Sequence, residues 1–146
     1  MANIDHSIII EKNLVEVYKT VTAYDDEALI KQWQPSIKSV GVTAGDPLRT
    51  GSMIAMKRNF ITSVIFVNAD VIDMQRNKRF DLKGIHGRFP FVREIEFNPN
   101  GRETHIKDRI WVKTGMLFFW WRPFLISTLR KQTAQEWKNI KILLEA

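Results

Sequence analysis

The chain has 146 residues, 45% of them apolar and 26% charged, enough to bury one hydrophobic core and form a single domain spanning residues 1–146. It contains no cysteine, which excludes disulfides and thiolate metal sites, and its histidines (His6, His86 and His105) are too scattered to suggest a metal centre, so neither metal nor cofactor is expected. The net charge of +6 runs from Lys12 to Lys141 without a dense cluster or a nucleic-acid-binding motif, which argues against nucleic acid as a partner and leaves only a surface bias toward anions.

The first ten residues, MANIDHSIII, have neither the basic start nor the long apolar stretch of a signal peptide, and no later run approaches the ~20 apolar residues of a membrane span. A cytoplasmic protein is therefore expected. Residues 3–11 alternate, with Ile4, His6, Ile8 and Ile10 on one face, and read as a strand. Asn13 with Glu16 three residues on forms a candidate capping box for a short helix whose stripe is Leu14, Val17, Tyr18 and Val21. A second short helix over 26–33 is capped by Asp25 or Asp26 and stopped by Pro35.

Strands are predicted over 37–43, 52–59, 62–74, 79–83, 89–97 and 103–113. The turn-rich segment 44–51 separates the first two, 84–87 reads as a loop, and Asn98-Pro99-Asn100-Gly101 is a strong turn. From Pro123 the period changes. Ile126, Leu129, Thr133, Trp137, Ile140 and Leu144 recur at spacings of three and four, one mostly apolar stripe of a long helix. The order is strand, two short helices, about six antiparallel strands and one long helix. A twisted sheet of that size must bury one face, and the long helix is the element able to cover it. One helix does not fill a sheet that curls around it, so an internal pocket is expected.

On these residues the chain resembles the START-like, or SRPBCC, superfamily over nearly its whole length. The markers are Ser7-Ile8-Ile9-Ile10-Glu11-Lys12-Asn13-Leu14-Val15-Glu16-Val17-Tyr18, then Trp33 with Pro35, the loop 43–51, and the ending Asn139-Ile140-Lys141-Ile142-Leu143-Leu144-Glu145, which is similar to the closing helix of polyketide cyclase/dehydrase and lipid-transport members. Residues 37–51 also resemble the glycine-rich loop region of the birch pollen allergen class, but keep only Gly45 and Gly51, with Asp46, Leu48 and Arg49 between. The resemblance implies an α+β helix-grip fold: a curved antiparallel sheet of about seven strands around a long C-terminal helix, with two short helices after the first strand. It also implies a small hydrophobic or amphipathic ligand (lipid, isoprenoid or polyketide-like) bound in an internal cavity. The alternative it offers is a polyketide cyclase or dehydratase.

Two adjacent strands carry the sharpest local signal. Phe89, Phe91, Arg93, Ile95 and Phe97 share one face, and Thr104, Ile106, Asp108, Ile110 and Val112 share one on the partner. With the apolar faces in register, Arg93 falls opposite Asp108 and Phe97 opposite Thr104, close enough for an ion pair. That pair reads either as a structural contact or as a polar anchor for a ligand carboxylate, phosphate or carbonyl. Ile54, Met56 and Arg58 share a face that the resemblance places inside. On residues 62–74 both faces are apolar, and the resemblance favours the one with Val64, Phe66, Asn68 and Asp70. Trp33 and Trp137 read as cavity-lining or core.

The candidate ligand-binding set is thus Trp33, Arg58, Phe66, Asp70, Phe91, Arg93, Asp108 and Trp137. His6 reads as a hydrogen-bonded core residue and His86 as a loop residue at the rim. A cyclase would use Arg93 or Arg58 to stabilise an enolate, with His6, Asp70 or Asp108 as base. Residues 117–124, LFFWWRPF, hold more consecutive aromatics than one core can take. They read as a brace for the long helix or, through Phe118, Phe119, Trp120 and Trp121, as a lip for transient membrane contact.

Overall fold

The computed structural model describes residues 3–116 and 119–146. The alternating N-terminal run forms β1 (Ile4–Ile10), and the two caps work as their side chains suggest. Asn13 accepts from the Glu16 N–H at 2.9 Å and starts α1 (Leu14–Val21). Asp26 accepts from the Leu29 N–H at 3.1 Å and starts α2 (Glu27–Trp33). Then come β2 (Ile37–Ala44), β3 (Met53–Phe60), β4 (Ser63–Gln75), β5 (Arg79–His86), β6 (Phe89–Asn100), β7 (Glu103–Val112) and α3 (Arg122–Glu145), which has a proline in its first turn. No described helix is long and apolar enough to cross a membrane.

The seven strands form one antiparallel sheet in the order β1-β7-β6-β5-β4-β3-β2, and α3 lies in its concave side. The buried positions of α3 are Leu125, Ile126, Leu129, Thr133, Glu136, Trp137 and Ile140. That is the expected stripe with Leu125 and a glutamate added, while Leu144 is only half-buried at its end. Two apolar cores result. One gathers α1, α2 and the C-terminal half of α3, with Val17, Tyr24, Ile30, Trp33, Phe80, Trp137 and Ile140. The other surrounds the first turns of α3, with Ile4, Phe60, Phe89, Ile110, Leu125, Ile126 and Leu129. Trp33 and Trp137 pack at 5.7 Å between ring centroids and join α2 to α3. Burying each indole removes roughly 150–250 Å² from water, about 4–6 kcal/mol apiece.

Side chains of α3 also occupy backbone groups along β1, an edge strand. Arg130 donates to the Asn3 carbonyl at 3.2 Å, Lys141 to the Ile9 carbonyl at 2.7 Å, and Glu145 accepts from the Glu11 N–H at 2.8 Å. On the opposite edge, Glu27 of α2 accepts from the Val40 N–H of β2 at 3.0 Å.

Three local expectations are corrected. The segment 84–87 is not a loop, because β5 runs on through Gly84 to His86. Gly84 permits this: a Cβ there would lie 1.9 Å from the Asn68 carbonyl oxygen, so only glycine lets β4 and β5 approach this closely. The β6–β7 turn is tighter than expected. Asn100 pairs with Glu103 and only Gly101 and Arg102 form the loop, with Gly101 at φ +64°, as a two-residue hairpin opening on glycine requires. This moves the register by two, so Phe97 faces Ile106 and Arg93 faces Ile110. Finally, the inward face of β4 is Val67, Ala69 and Val71, and Phe66 and Asp70 point outward.

Candidate functional site

Between the two apolar cores lies a polar belt. β3 sends Arg58 inward, β6 sends Arg93, β7 sends Asp108, and α3 contributes Thr133 and Glu136; all are buried. The belt and its apolar neighbours line a partly open chamber of about 60 Å³. Met56, Val67, Leu82, Phe91 and Leu129 supply much of the apolar wall, and Tyr24 and Gln34 also line it. Such a volume takes a few water molecules or the end of a ligand. It is far below the roughly 300–1,000 Å³ of sites that enclose a drug-sized molecule. The space between helix and sheet is therefore mostly filled by side chains, and the large internal cavity expected from the architecture is reduced to this chamber.

Both arginines are neutralised within the belt. Arg93 Nε donates to Asp108 Oδ1 at 3.0 Å and Arg93 Nη2 to Oδ2 at 2.6 Å, a bidentate pair. Trp137 Nε1 adds a third bond to Asp108 Oδ2 at 2.8 Å. Because Ile95, not Arg93, lies directly across from Asp108, the pair forms on the diagonal between β6 and β7. Burial works against the charge on Arg93, but the Asp108 carboxylate outweighs it and holds the guanidinium protonated above its ordinary range. Arg58 Nη2 donates to Glu136 Oε2 at 2.6 Å and to Ser36 Oγ at 3.0 Å. Tyr24 accepts from Gln34 Nε2 at 3.2 Å, and burial raises its phenol pKa.

His86, at the end of β5, lines the chamber. Burial first, then the nearby Arg58 charge, lower its pKa to about 3, so the ring is neutral at physiological pH. Nε2 is buried without a partner, as is the Arg58 Nε–H donor.

Outside His86 lies an open groove of about 520 Å³. It runs between the β3–β4 turn, the β5–β6 turn and the start of α3, with Phe60, Ile61, Ile65, Phe89 and Trp121 as its apolar lining. His86 belongs to both spaces, and the Phe60 ring meets it edge-on at 4.8 Å. The two aromatic rings thus form a partition between chamber and groove. Trp121 packs over Phe89 at 6.0 Å, while Phe119 and Trp120, which precede it in the chain, are each 73% exposed. Phe118 lies outside the described residues.

Of the eight candidate residues, Arg58, Phe91 and Arg93 line the chamber. Asp108 and Trp137 stand behind Arg93 as its partners. Trp33 is buried in the apolar core against Trp137. Phe66 and Asp70 do not join them: Phe66 is 60% exposed under Lys57 on the convex face of the sheet, and Asp70 is exposed beside Met53. His6 is half-buried on β1 across from Asp108. Glu136 escaped sequence reading, although 129, 133, 136 and 140 step by four, three and four and place it on the buried stripe. His86 was misread as a rim loop residue; its partners Val67 and Phe89 place it within the sheet.

No family model and no curated protein matches the sequence. Solved structures do match, over nearly the full chain. An aromatase/cyclase, Zhui, from Streptomyces superposes with TM-score 0.77 at 8% identity, over 97% of this chain and 92% of its own. Ara h 8.0201 gives 0.75 at 11% identity, over 96% and 95%. A START superfamily protein from Mycobacterium smegmatis gives 0.72 at 14% identity, over 97% and 96%. The chain has the START-like helix-grip fold.

Proposed function

We propose that this protein binds a small amphipathic molecule whose polar end enters the chamber while its apolar part lies in the groove. The observation that carries this reading is the shared partition. Turning the His86 and Phe60 side chains would join the chamber to the groove without moving the sheet, giving a continuous site with polar floor and apolar mouth. Similarity of fold to START and aromatase/cyclase structures supports ligand binding as the class of activity, and the fold itself does not choose the ligand. Native mass spectrometry of the purified chain, then thermal-shift screening against fatty acids, isoprenoid alcohols and aromatic polyketides, tests it. A retained mass or a stabilising class is expected. No retained mass and no shift with any class would overturn the reading.

Binding is favoured over cyclase chemistry by the electrostatics of the belt. An enolate-forming enzyme needs a base that titrates near its working pH. Among the described residues of the belt and the chamber wall, His86 is held neutral to about pH 3, and Glu136 and Asp108 are each paired with a guanidinium. The exposed Phe119 and Trp120, with Arg122 also exposed at the start of α3, favour delivery of the ligand at an anionic membrane surface.

A further inference from the structure

We infer that Ile61, on the β3–β4 turn, grips the apolar part of the ligand in the groove, and that the fold keeps an isoleucine there at a cost in its own stability. This rests on the binding site proposed above and names a residue that sets its affinity. The observation is a mismatch between backbone and side chain. Phe60 pairs with Ser63, so Ile61 and Thr62 alone make the turn between β3 and β4. His86 pairs with Phe89 and Asn100 with Glu103, so the β5–β6 and β6–β7 turns are also two residues long. All three open in the left-handed region: φ is +58° at Ile61, +67° at Gly87 and +64° at Gly101. Such hairpins take glycine at that position, and a β-branched residue suits it least, because its Cβ crowds the backbone. Two of the turns obey with Gly-Arg, and the third has Ile-Thr. The other non-glycine residue with positive φ among those described is Asn77, a type that tolerates it.

Packing within the fold does not account for the isoleucine. Ile61 is 42% exposed and belongs to neither apolar core. It lines the groove together with Phe60, Ile65, Phe89 and Trp121. Gly101 shows what the same turn takes when nothing else acts on it: a Cβ there would meet nothing within 4 Å, so the backbone alone has kept the glycine. At the groove the backbone asks for glycine and the chain supplies a large apolar side chain instead. Strain of this kind persists where a function needs the side chain. Here the need is contact with ligand carbon, which covers the part of Ile61 that the unliganded fold leaves in water. Covering that part is worth about tenfold in affinity.

The test reads stability and affinity on the same proteins: the parent chain, Ile61→Asn, Ile61→Gly, Ile61→Val and, at the twin turn, Gly101→Ile. The probes are decanol and farnesol, titrated by calorimetry. Without probe, Ile61→Asn should raise Tm by about 2–4 °C. Ile61→Gly should raise it less, because glycine also loosens the unfolded chain. Both should bind the two probes about tenfold more weakly than the parent. Ile61→Val should keep the parent's Tm and most of its affinity. Gly101→Ile should lower Tm and leave the affinities unchanged, which separates strain in the turn from contact in the groove. If Ile61→Asn lowers Tm, or binds the probes as tightly as the parent, this inference is overturned and the binding site stands. If the parent chain binds neither probe, the site and this inference fall together.

Discussion

Asp108 is the residue on which the interior polarity converges. Its two oxygens take two bonds from Arg93 and one from Trp137, all buried. A buried ion pair adds little net stability over apolar residues of the same shape, but one partner left alone is costly. Asp108→Ala should therefore destabilise the fold by about 3–5 kcal/mol in urea unfolding, and Arg93→Met/Asp108→Leu together should recover most of that loss. Two other residues give opposite pH dependences. Folded His86 takes up a proton only near pH 3 against 6.5 for an ordinary histidine, so the unfolded state binds more protons between these values and stability falls as pH drops through that range. Asp81, buried on β5 beside Arg79, Glu94 and Asp73, has its pKa raised to about 6 from 3.8, chiefly by burial. Its folded form holds the proton longer, and stability falls as pH rises from about 4 to 6. His86→Phe should flatten the acid limb by roughly 2–3 kcal/mol between pH 7 and 4. Asp81→Asn should remove the opposing slope and stabilise the protein at neutral pH by on the order of 1–3 kcal/mol. Denaturant melts across pH separate the two. The Arg93–Asp108 pair was legible in sequence because a single charge on each otherwise apolar face stands out. Their relative register was not, since both Asn98-Pro99 and Asn100-Gly101 read as turns and the strands use only the second.

At the scale of elements, the helices were the most legible parts. Asn13 and Asp26 are caps whose chemistry is local, and the period of α3 extends over many turns. β4 and β5 were harder for physical reasons. β4 carries Val64, Phe66 and Ile72 on its solvent face, so alternation alone does not tell inside from outside. β5 ends in Gly84-Ile85-His86 with Gly87 just beyond, a run that reads as a loop because glycine weakens a strand unless something needs its missing side chain. Here the β4 backbone needs it. Gly84→Ala would press a methyl into the Asn68 carbonyl and should cost more than about 3 kcal/mol. Hydrogen exchange should show the loss first at the β4–β5 pairing.

Across the whole molecule, the order of elements and the need to cover one sheet face were enough to reach the fold. The size of the chamber was not, because it depends on how large side chains from facing elements interlock. Trp33, Trp137, Tyr24 and Phe91 take up space that sequence alone assigns to a ligand. Phe119 and Trp120, just before α3, are large apolar side chains that the fold leaves uncovered. Phe119→Ser/Trp120→Ser should leave stability within about 0.5 kcal/mol, since both rings face solvent. Flotation with vesicles of mixed neutral and anionic lipid should lose the variant and retain the parent chain; equal flotation of both would remove the lip from membrane contact.

An open seven-stranded sheet has two unsealed margins, and each is a template on which a stray strand can add. The long helix lays Arg130, Lys141 and Glu145 along one of them, and Glu27 sits at the other. The same helix that divides the interior thus also guards the seam against fibril growth, so a lesion that frays its last turns would endanger solubility before it disturbed the chamber.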